Sequence, residues 1–239
     1  MKNFKNISKR LLVGISAVGL LSVMLSSCAK NSETNYYPPT ALMTVIQASP
    51  DQVPLDFYLN TSKVNVGSIN YADDIDYFKA YVGTRVGLFT QASTSTKVAS
   101  DTVTLKQNGA YSLFLVNKVS SPQILFLNDS ISKPTSGNAS IRFVNVSPDA
   151  PAVDLAIKGG AVVVPNKAFK GYSLFAPIPG QTYSFEIRQA GTTTVLATLN
   201  NVTLSAGFIY TVWLRGLATP TNDLDKLTAG LITNAYYVN

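Results

Sequence analysis

The residue types that most often carry enzymatic chemistry are scarce in this 239-residue chain. It contains no histidine and a single cysteine, which excludes Ser-His-Asp and Cys-His mechanisms and zinc sites built from His and Cys. Glutamate occurs only at Glu33 and Glu186, and no phosphate-binding glycine loop is present. A pair of aspartates is the common catalytic device that remains. We therefore expect a protein without enzymatic activity or cofactor, and an aspartate-based hydrolase is the minor alternative.

The aspartates cluster at residues 223–225 and, more densely, at Asp73, Asp74 and Asp76, where Tyr71 and Tyr77 lie beside them. Calcium prefers several oxygen ligands, and aromatic faces next to carboxylates hold sugars as well as filling cores. The cluster lacks the spacing, glycine and closing glutamate of a calcium loop. We therefore expect a solvated loop for the acids and core packing for the aromatic residues, and we keep a cation or glycan surface formed by these five residues as the alternative.

The amino-terminal segment has the features of a secretory signal peptide. Four basic residues, Lys2, Lys5, Lys9 and Arg10, precede an apolar run over residues 11–27. A membrane-spanning helix is the alternative, but it wants roughly 20 apolar residues, and this run is shorter and contains Gly14 and Gly19. We predict a signal peptide over residues 1–27.

The end of this segment, Leu25-Ser26-Ser27-Cys28, resembles the lipobox of bacterial lipoproteins. The resemblance implies cleavage before Cys28 and lipid on its thiol, which makes a membrane the partner of the mature chain. Residues 28–40 are polar and then Pro-containing, so we predict a flexible tether that spans on the order of 20 Å. The expected location is the cell envelope, as an outer-membrane lipoprotein, with the leaflet and the side of the membrane left open.

Removal of the signal segment changes the charge argument. The whole chain has 19 basic and 13 acidic residues, and loss of the four early basic residues leaves 15 against 13. A net charge of +2 gives no electrostatic reason to expect nucleic-acid binding.

The remaining chain is a duplication. The segment over residues 41–59 aligns without gaps with residues 139–157, at an offset of 98. Near the end of each unit, Tyr111 and Phe114 align with Tyr210 and Trp213 at an offset of 99. We predict two domains of ordinary size, over residues 41–135 and 139–239, separated by a turn-rich gap.

The local pattern in both units is typical of β-strands. Apolar residues alternate with polar ones, as in Leu55, Phe57 and Leu59 with Asp56 between them, and Val, Thr, Tyr and Phe are plentiful. Several short strands per hundred residues predict an all-β fold of two tandem β-sandwiches. A small barrel is the alternative.

A repeated motif marks the start of each domain. Ser147-Pro-Asp-Ala-Pro-Ala-Val-Asp154 resembles the signature of the bacterial domain of unknown function 4397, and the copy from Ser49 to Asp56 departs from it at Gln52 and Val53. The resemblance implies two copies of an extracytoplasmic, immunoglobulin-like sandwich and no established activity. The composition and the lipobox also resemble the lipoproteins of Bacteroidetes-type bacteria.

Elementary turn chemistry favours a structural role for this motif. Pro50 and Pro148 fix φ in a turn, and Ser49, Asp51, Ser147 and Asp149 are placed to bond nearby backbone amides. We expect Asp56 and Asp154 on the polar side of the following strand. A cation or ligand site at this corner is the alternative.

Two tripeptides, Asp101-Thr102-Val103 and Asp129-Ser130-Ile131, resemble the short O-glycosylation sequence of Bacteroidetes. Ser130 is the favoured position because it lies near the interdomain gap. For the whole chain we expect a lipid-anchored, non-enzymatic module that binds or scaffolds a glycan or an envelope protein. A purely structural spacer is the alternative.

Overall fold

The structure is a computed structural model that describes residues 38–237. The predicted signal peptide, Cys28 and the predicted tether up to residue 37 lie outside the described residues. The described residues, 38–237, form one compact unit. Among the described residues, no helix has the length and apolar character needed to cross a membrane.

The first half of the unit is a sandwich of two four-stranded sheets. The sheet that we call the first seam sheet has the order β4-β1-β7-β8, and the first outer sheet has the order β3-β2-β5-β6. In chain order these strands are β1 (Thr40–Gln47), β2 (Leu55–Leu59), β3 (Ser62–Lys63), β4 (Asp74–Tyr81), β5 (Gly83–Gln91), β6 (Lys97–Leu105), β7 (Ala110–Val116) and β8 (Gln123–Asp129). Strands β1 and β7 are parallel, and the other pairings are antiparallel.

The second half repeats this topology. Its seam sheet has the order β12-β9-β15-β16 and its outer sheet the order β11-β10-β13-β14. The strands are β9 (Asn138–Asn145), β10 (Val153–Ile157), β11 (Val162–Lys167), β12 (Ala176–Pro179), β13 (Thr182–Gln189), β14 (Val195–Thr203), β15 (Phe208–Arg215) and β16 (Thr228–Tyr236), with a 3-10 helix at Asp223–Asp225. The predicted all-β sandwich is confirmed, and the sheets do not close on themselves.

Each sandwich has its own apolar core, built by the alternation that the sequence shows. Phe57, Phe89 and Leu113 are buried in the first core, and Phe143, Phe185 and Val212 in the second. In β13, for example, Tyr183, Phe185 and Ile187 are buried and the residues between them are not, as expected for a strand with one face on the core.

A third apolar cluster lies between the two seam sheets. It includes Ile46 and Phe114 from the first half and Val144 and Trp213 from the second, and the rings of Phe114 and Trp213 are 6.4 Å apart. The two sandwiches therefore pack back to back in the order outer, seam, seam, outer. This explains why β7 is buried at all seven positions, since both faces of its sheet are covered.

Candidate functional site

The Ser-Pro-Asp motif ties the segment after the first strand of each half to the loop after its seventh. Asp51 Oδ1 accepts a hydrogen bond from the Val119 amide at 3.0 Å, and Asp149 Oδ1 accepts one from the Ala218 amide at 2.7 Å. Ser49 Oγ donates to the Asn117 carbonyl. Pro50 and Ser147 are buried, and Pro148 is half-buried. Within the described residues, these contacts connect one loop to another and so support a structural role for the motif.

The second aspartate of the motif is not on a solvent-facing side, which corrects our expectation. Asp56 and Asp154 are only 2% and 5% exposed. Asp56 Oδ2 accepts from the Ser93 amide at 3.0 Å, and Asp154 Oδ2 accepts from the Gly191 amide at 2.9 Å. The physical reason is that each carboxylate is needed to satisfy the backbone of the turn between the two neighbouring strands of the outer sheet, so the turn covers it.

The aspartate cluster is spread along a strand rather than gathered in a loop. Asp74 and Asp76 lie in β4, so our prediction of a loop is wrong for them. Asp73 precedes the strand and accepts hydrogen bonds from the Asn70 amide and side chain at 2.9 and 3.0 Å. Partial desolvation of this exposed residue by its neighbours, then the charges of Asp76 and Asp73, raise the pKa of the Asp74 carboxyl. No group of three or more His, Cys, Asp or Glu within residues 38–237 is placed to hold a metal ion.

The flanking tyrosines go to different places. Tyr71 packs under the Arg215 guanidinium, which lies 5.2 Å from the Tyr71 ring and 5.4 Å from the Trp213 ring. Tyr77 instead reaches a buried polar network between the two halves. The structure therefore divides the predicted glycan surface, and it keeps Asp76 and Tyr77 together.

The buried network joins the two halves through Asp129 at the end of β8 and Arg142 in β9. The guanidinium is 2% exposed, and its Nη1 donates to Asp129 Oδ1. Ser112 Oγ and the Tyr77 hydroxyl donate to Asp129 Oδ2, the former at 2.6 Å. Burial, together with the negative charge of Asp129, raises the pKa of the Tyr77 hydroxyl above its usual range. Tyr77 is therefore a neutral donor.

The second half completes the network. Arg142 Nε donates to Thr211 Oγ1 at 2.8 Å, and Thr211 Oγ1 donates to Asn234 Oδ1 at 2.6 Å. Asn234 Nδ2 then donates to the Tyr77 hydroxyl at 3.3 Å, across 157 positions of the sequence. The guanidinium also lies 4.6 Å from the centre of the Phe175 ring. Every polar group named here is held by at least one other, so the side chains are fixed.

Beside this network a cleft of about 570 Å³ opens on the seam, and we call it the seam cleft. Its polar lining consists of Asp76, Tyr77, Thr233, Asn234, Tyr236 and Tyr237, and its apolar lining of Leu42, Ile131 and Ala235. Tyr236 is 63% exposed, and its ring stacks on Phe208 with the centres 5.3 Å apart. The lining contains one carboxylate and no cationic side chain.

Sequence reasoning identified Asp76 and Tyr77 and missed the residues that face them. Thr233, Asn234, Tyr236 and Tyr237 come from the last strand and the residue after it. The adjacent pair Tyr236-Tyr237 is a visible signal in the sequence, but nothing in the sequence places it next to Asp76. Only the packing of the two halves does that.

The two glycosylation tripeptides differ in accessibility. Thr102 is exposed on β6, and its amide donates to Asp101 Oδ1 at 2.7 Å. Ser130 is also exposed, but the preceding Asp129 is 3% exposed and is occupied by the buried network. Both hydroxyl residues are thus exposed, and glycosylation at either tripeptide stays a prediction.

Comparison with known proteins gives one family match. Residues 41–156 match the model of the Domain of unknown function (DUF4397). The match begins in β1 and ends in β10, so it covers the first half and the first two strands of the second. No curated protein matches the chain.

Solved structures with some likeness include the Bacillus anthracis TIE protein, with 12% identity and a TM-score of 0.26, covering 82% of this chain and 44% of that one. The chain thus corresponds to less than half of the TIE chain. A family 26 carbohydrate-binding module from Eubacterium rectale Amy13K in complex with maltoheptaose has 11% identity and a TM-score of 0.26, covering 81% and 97% of the two chains. Family 41 carbohydrate-binding modules from streptococcal virulence factors have 10% identity and a TM-score of 0.22, covering 72% and 92%. Because these TM-scores are low, nothing about ligand binding is inferred from them.

Proposed function

We propose that this protein is a non-enzymatic, glycan-binding lipoprotein of the bacterial cell envelope and that the seam cleft is its binding site. The observation that carries the proposal is the convergence of Tyr236, Tyr237 and Asp76 beside the amide of Asn234 in one cleft. Sugars offer apolar C–H faces and hydroxyl groups. Aromatic rings complement the former, and carboxylate, amide and hydroxyl oxygens the latter.

The size and rigidity of the cleft support this proposal. A volume of about 570 Å³ lies in the range of small-molecule sites, roughly 300–1,000 Å³, and suits one or two sugar rings. Tyr77 and Asn234 are held by the Arg142–Asp129 network, so their positions are set before a ligand arrives. Preorganisation of this kind reduces the entropy lost on binding.

The charge of the cleft indicates the class of glycan. Asp76 is the only carboxylic acid among the lining residues, and no lysine or arginine is among them. An anionic sugar would meet an uncompensated carboxylate, so the expected ligand is a neutral saccharide. Hydrolysis of a glycosidic bond ordinarily uses two carboxyl groups. A single carboxylate therefore supports binding without cleavage.

Anchoring through Cys28 is the other part of the proposal, and it rests on the lipobox-like Leu25-Ser26-Ser27-Cys28. A short tether would hold the seam cleft close to the membrane. Metabolic labelling with a radioactive fatty acid tests this, and Cys28→Ser should abolish both the label and sedimentation with membranes. Retention of the label in Cys28→Ser would exclude lipid on this cysteine. Protease treatment of intact cells then decides which side of the membrane the protein faces.

A glycan array probed with the purified full-length protein tests the binding role. We expect retention of a neutral saccharide that is lost in Asp76→Ala and Tyr236→Ala and kept in Tyr172→Ala, which removes another exposed tyrosine. No retained sugar, together with one envelope protein that copurifies with the chain, would contradict glycan binding and favour a scaffold or spacer.

A further inference from the structure

A second cavity, of about 440 Å³, lies at the open edge of the first sandwich, and we call it the hairpin pocket. It is bounded by the β2–β3 hairpin, the end of β4 and the beginning of β5. Leu59, Val64 and Phe78 give it an apolar floor. It shares no lining residue with the seam cleft.

The charge of the hairpin pocket is opposite to that of the seam cleft. Lys79 and Arg85 line it, and no acidic residue does. Neither cation takes part in a salt bridge within residues 38–237. An uncompensated pair of positive charges beside an apolar floor complements a ligand that combines an anionic group with an apolar face.

The Arg85 side chain is held in a fixed orientation. Its Nε donates to the Tyr81 carbonyl at 3.0 Å, and its Nη2 donates to the Val82 carbonyl at 2.7 Å. A guanidinium has five N–H donors. The three N–H groups that remain are two on Nη1 and one on Nη2. These two nitrogens form the terminal edge of the guanidinium, and this edge can pair with a carboxylate through two parallel hydrogen bonds.

The second half shows that the fold does not need a charge at this position. In the first outer sheet Arg85 pairs with Val103, and in the second outer sheet Tyr183 pairs with Val202. Tyr183 is therefore the residue of the second half that is equivalent to Arg85. The Tyr183 hydroxyl donates to the Pro179 carbonyl at 3.1 Å, in the same place as the contact from Arg85 to Tyr81. A neutral phenol thus makes the equivalent backbone tie, and the positive charge of Arg85 is surplus to that structural role.

We propose that the hairpin pocket binds a carboxylated sugar, a hexuronate. The sugar carboxylate pairs with the free edge of Arg85, with Lys79 nearby. Its ring lies against Phe78 and Tyr81, which is 58% exposed. Its hydroxyl groups face the polar residues of the hairpin turn, Asn60, Thr61 and Ser62. This site is independent of the neutral-glycan site in the seam cleft.

Calorimetric titration of digalacturonate into the full-length protein in detergent tests the proposal, with galactobiose as the matched neutral probe. We expect digalacturonate to bind and its affinity to fall as salt is raised. Arg85→Gln should weaken binding about tenfold or more, because a hydrogen-bonded ion pair is lost. Lys97→Gln, at the opposite end of the β5–β6 ladder, should leave the affinity unchanged.

Two further variants keep the outcome interpretable. Lys79→Gln alters an exposed side chain and should weaken digalacturonate binding without changing the fold, even where Arg85→Gln lowers stability. Asp76→Ala should not weaken it, which separates this site from the seam cleft. The proposal is overturned by the absence of binding for both digalacturonate and glucuronate. It is equally overturned by wild-type affinity in both Arg85→Gln and Lys79→Gln, or by binding to phosphatidylglycerol vesicles in place of soluble uronates.

Discussion

Asp154 accepts hydrogen bonds from two separate backbone segments, from the Asn166 amide at 2.6 Å and the Gly191 amide at 2.9 Å. Asp154→Ala leaves both donors without their partner at partly buried positions, so the lower part of the usual range of costs applies. Each such loss costs on the order of 1–3 kcal/mol, so we expect a decrease of about 2–4 kcal/mol in the free energy of unfolding. Urea denaturation measures it. Asp76→Ala, which removes no internal hydrogen bond of the described chain, is the control and should change stability little.

Acid should destabilise the protein through Asp56 and Asp149. Burial alone would raise the pKa of each carboxyl, but hydrogen bonds to the charged form outweigh it and lower both pKa values. The donors to Asp56 are Lys63, Ser93 and Asn65. The donors to Asp149 are Ala218 and Thr219. The unfolded chain, with carboxyl pKa values of about 3.9, then binds more protons in acid than the folded protein.

The stabilisation from these two carboxylates is therefore complete above about pH 5 and is lost as the pH falls through the unfolded-state and then the folded-state pKa values. Urea midpoints measured from neutral pH downwards should decrease in this acidic range. Asp149→Asn should make the decrease shallower. An unchanged pH profile in that variant would show that Asp149 is not one of the groups responsible.

For individual residues, the sequence was informative about turn chemistry and less informative about burial. The repeated spacing of Ser49, Pro50 and Asp51 pointed to backbone contacts, and the structure has such contacts. The burial of Asp56 was not predictable, because alternation along β2 tells which face a residue is on but not that the β5–β6 turn covers that face.

Among the connecting segments, the loop after β15 depends on Gly216. Its φ is +88°, and an added Cβ would lie 2.2 Å from the Lys226 carbonyl oxygen. Gly216→Ala should therefore cost more than the roughly 1 kcal/mol expected from backbone strain alone, by displacing the segment before β16. Gly137→Ala is the matched control, since φ there is +79° with nothing within 4 Å of the added Cβ. Equal thermal melting shifts in the two variants would contradict this account.

Most strands were predictable from the alternation of apolar and polar residues, but the beginning of β4 was not. Asp74, Ile75, Asp76 and Tyr77 alternate as a strand does, but three nearby acids suggested a loop. The acids are tolerated because β4 is an edge strand, hydrogen-bonded only to β1 in its sheet, and their side chains are exposed.

For the whole molecule, the duplication predicted two similar sandwiches but not their back-to-back packing. That packing depends on the outward faces of the seam sheets, where Ile46, Phe114 and Trp213 form a shared core. The corresponding positions Thr44 and Arg142 have different side chains in the two halves, so similarity between the repeats gave no hint of the buried ion pair. The seam cleft was missed for the same reason.

The Arg142–Asp129 pair gives a test of this packing. Arg142→Met leaves a buried carboxylate without its cation, which typically costs about 3–5 kcal/mol. Asp129→Asn added to Arg142→Met should restore much of the loss, because the double variant has no unpaired charge. Urea unfolding measures all three proteins. Arg188→Met, which breaks the more accessible pair with Glu186, should cost clearly less than Arg142→Met, because water solvates the carboxylate that is left. An equal cost in the two variants would contradict a special role for the seam.

The central claim, that the seam cleft binds a neutral glycan, is tested most directly by calorimetric titration of a neutral saccharide selected on the array. The wild-type protein should bind it with an affinity that changes little with salt, since the cleft carries no cation. Asp76→Ala and Tyr236→Ala should each weaken binding about tenfold, while Tyr172→Ala and Arg85→Gln should bind as the wild type does. Wild-type affinity in both Asp76→Ala and Tyr236→Ala would contradict the assignment of the site.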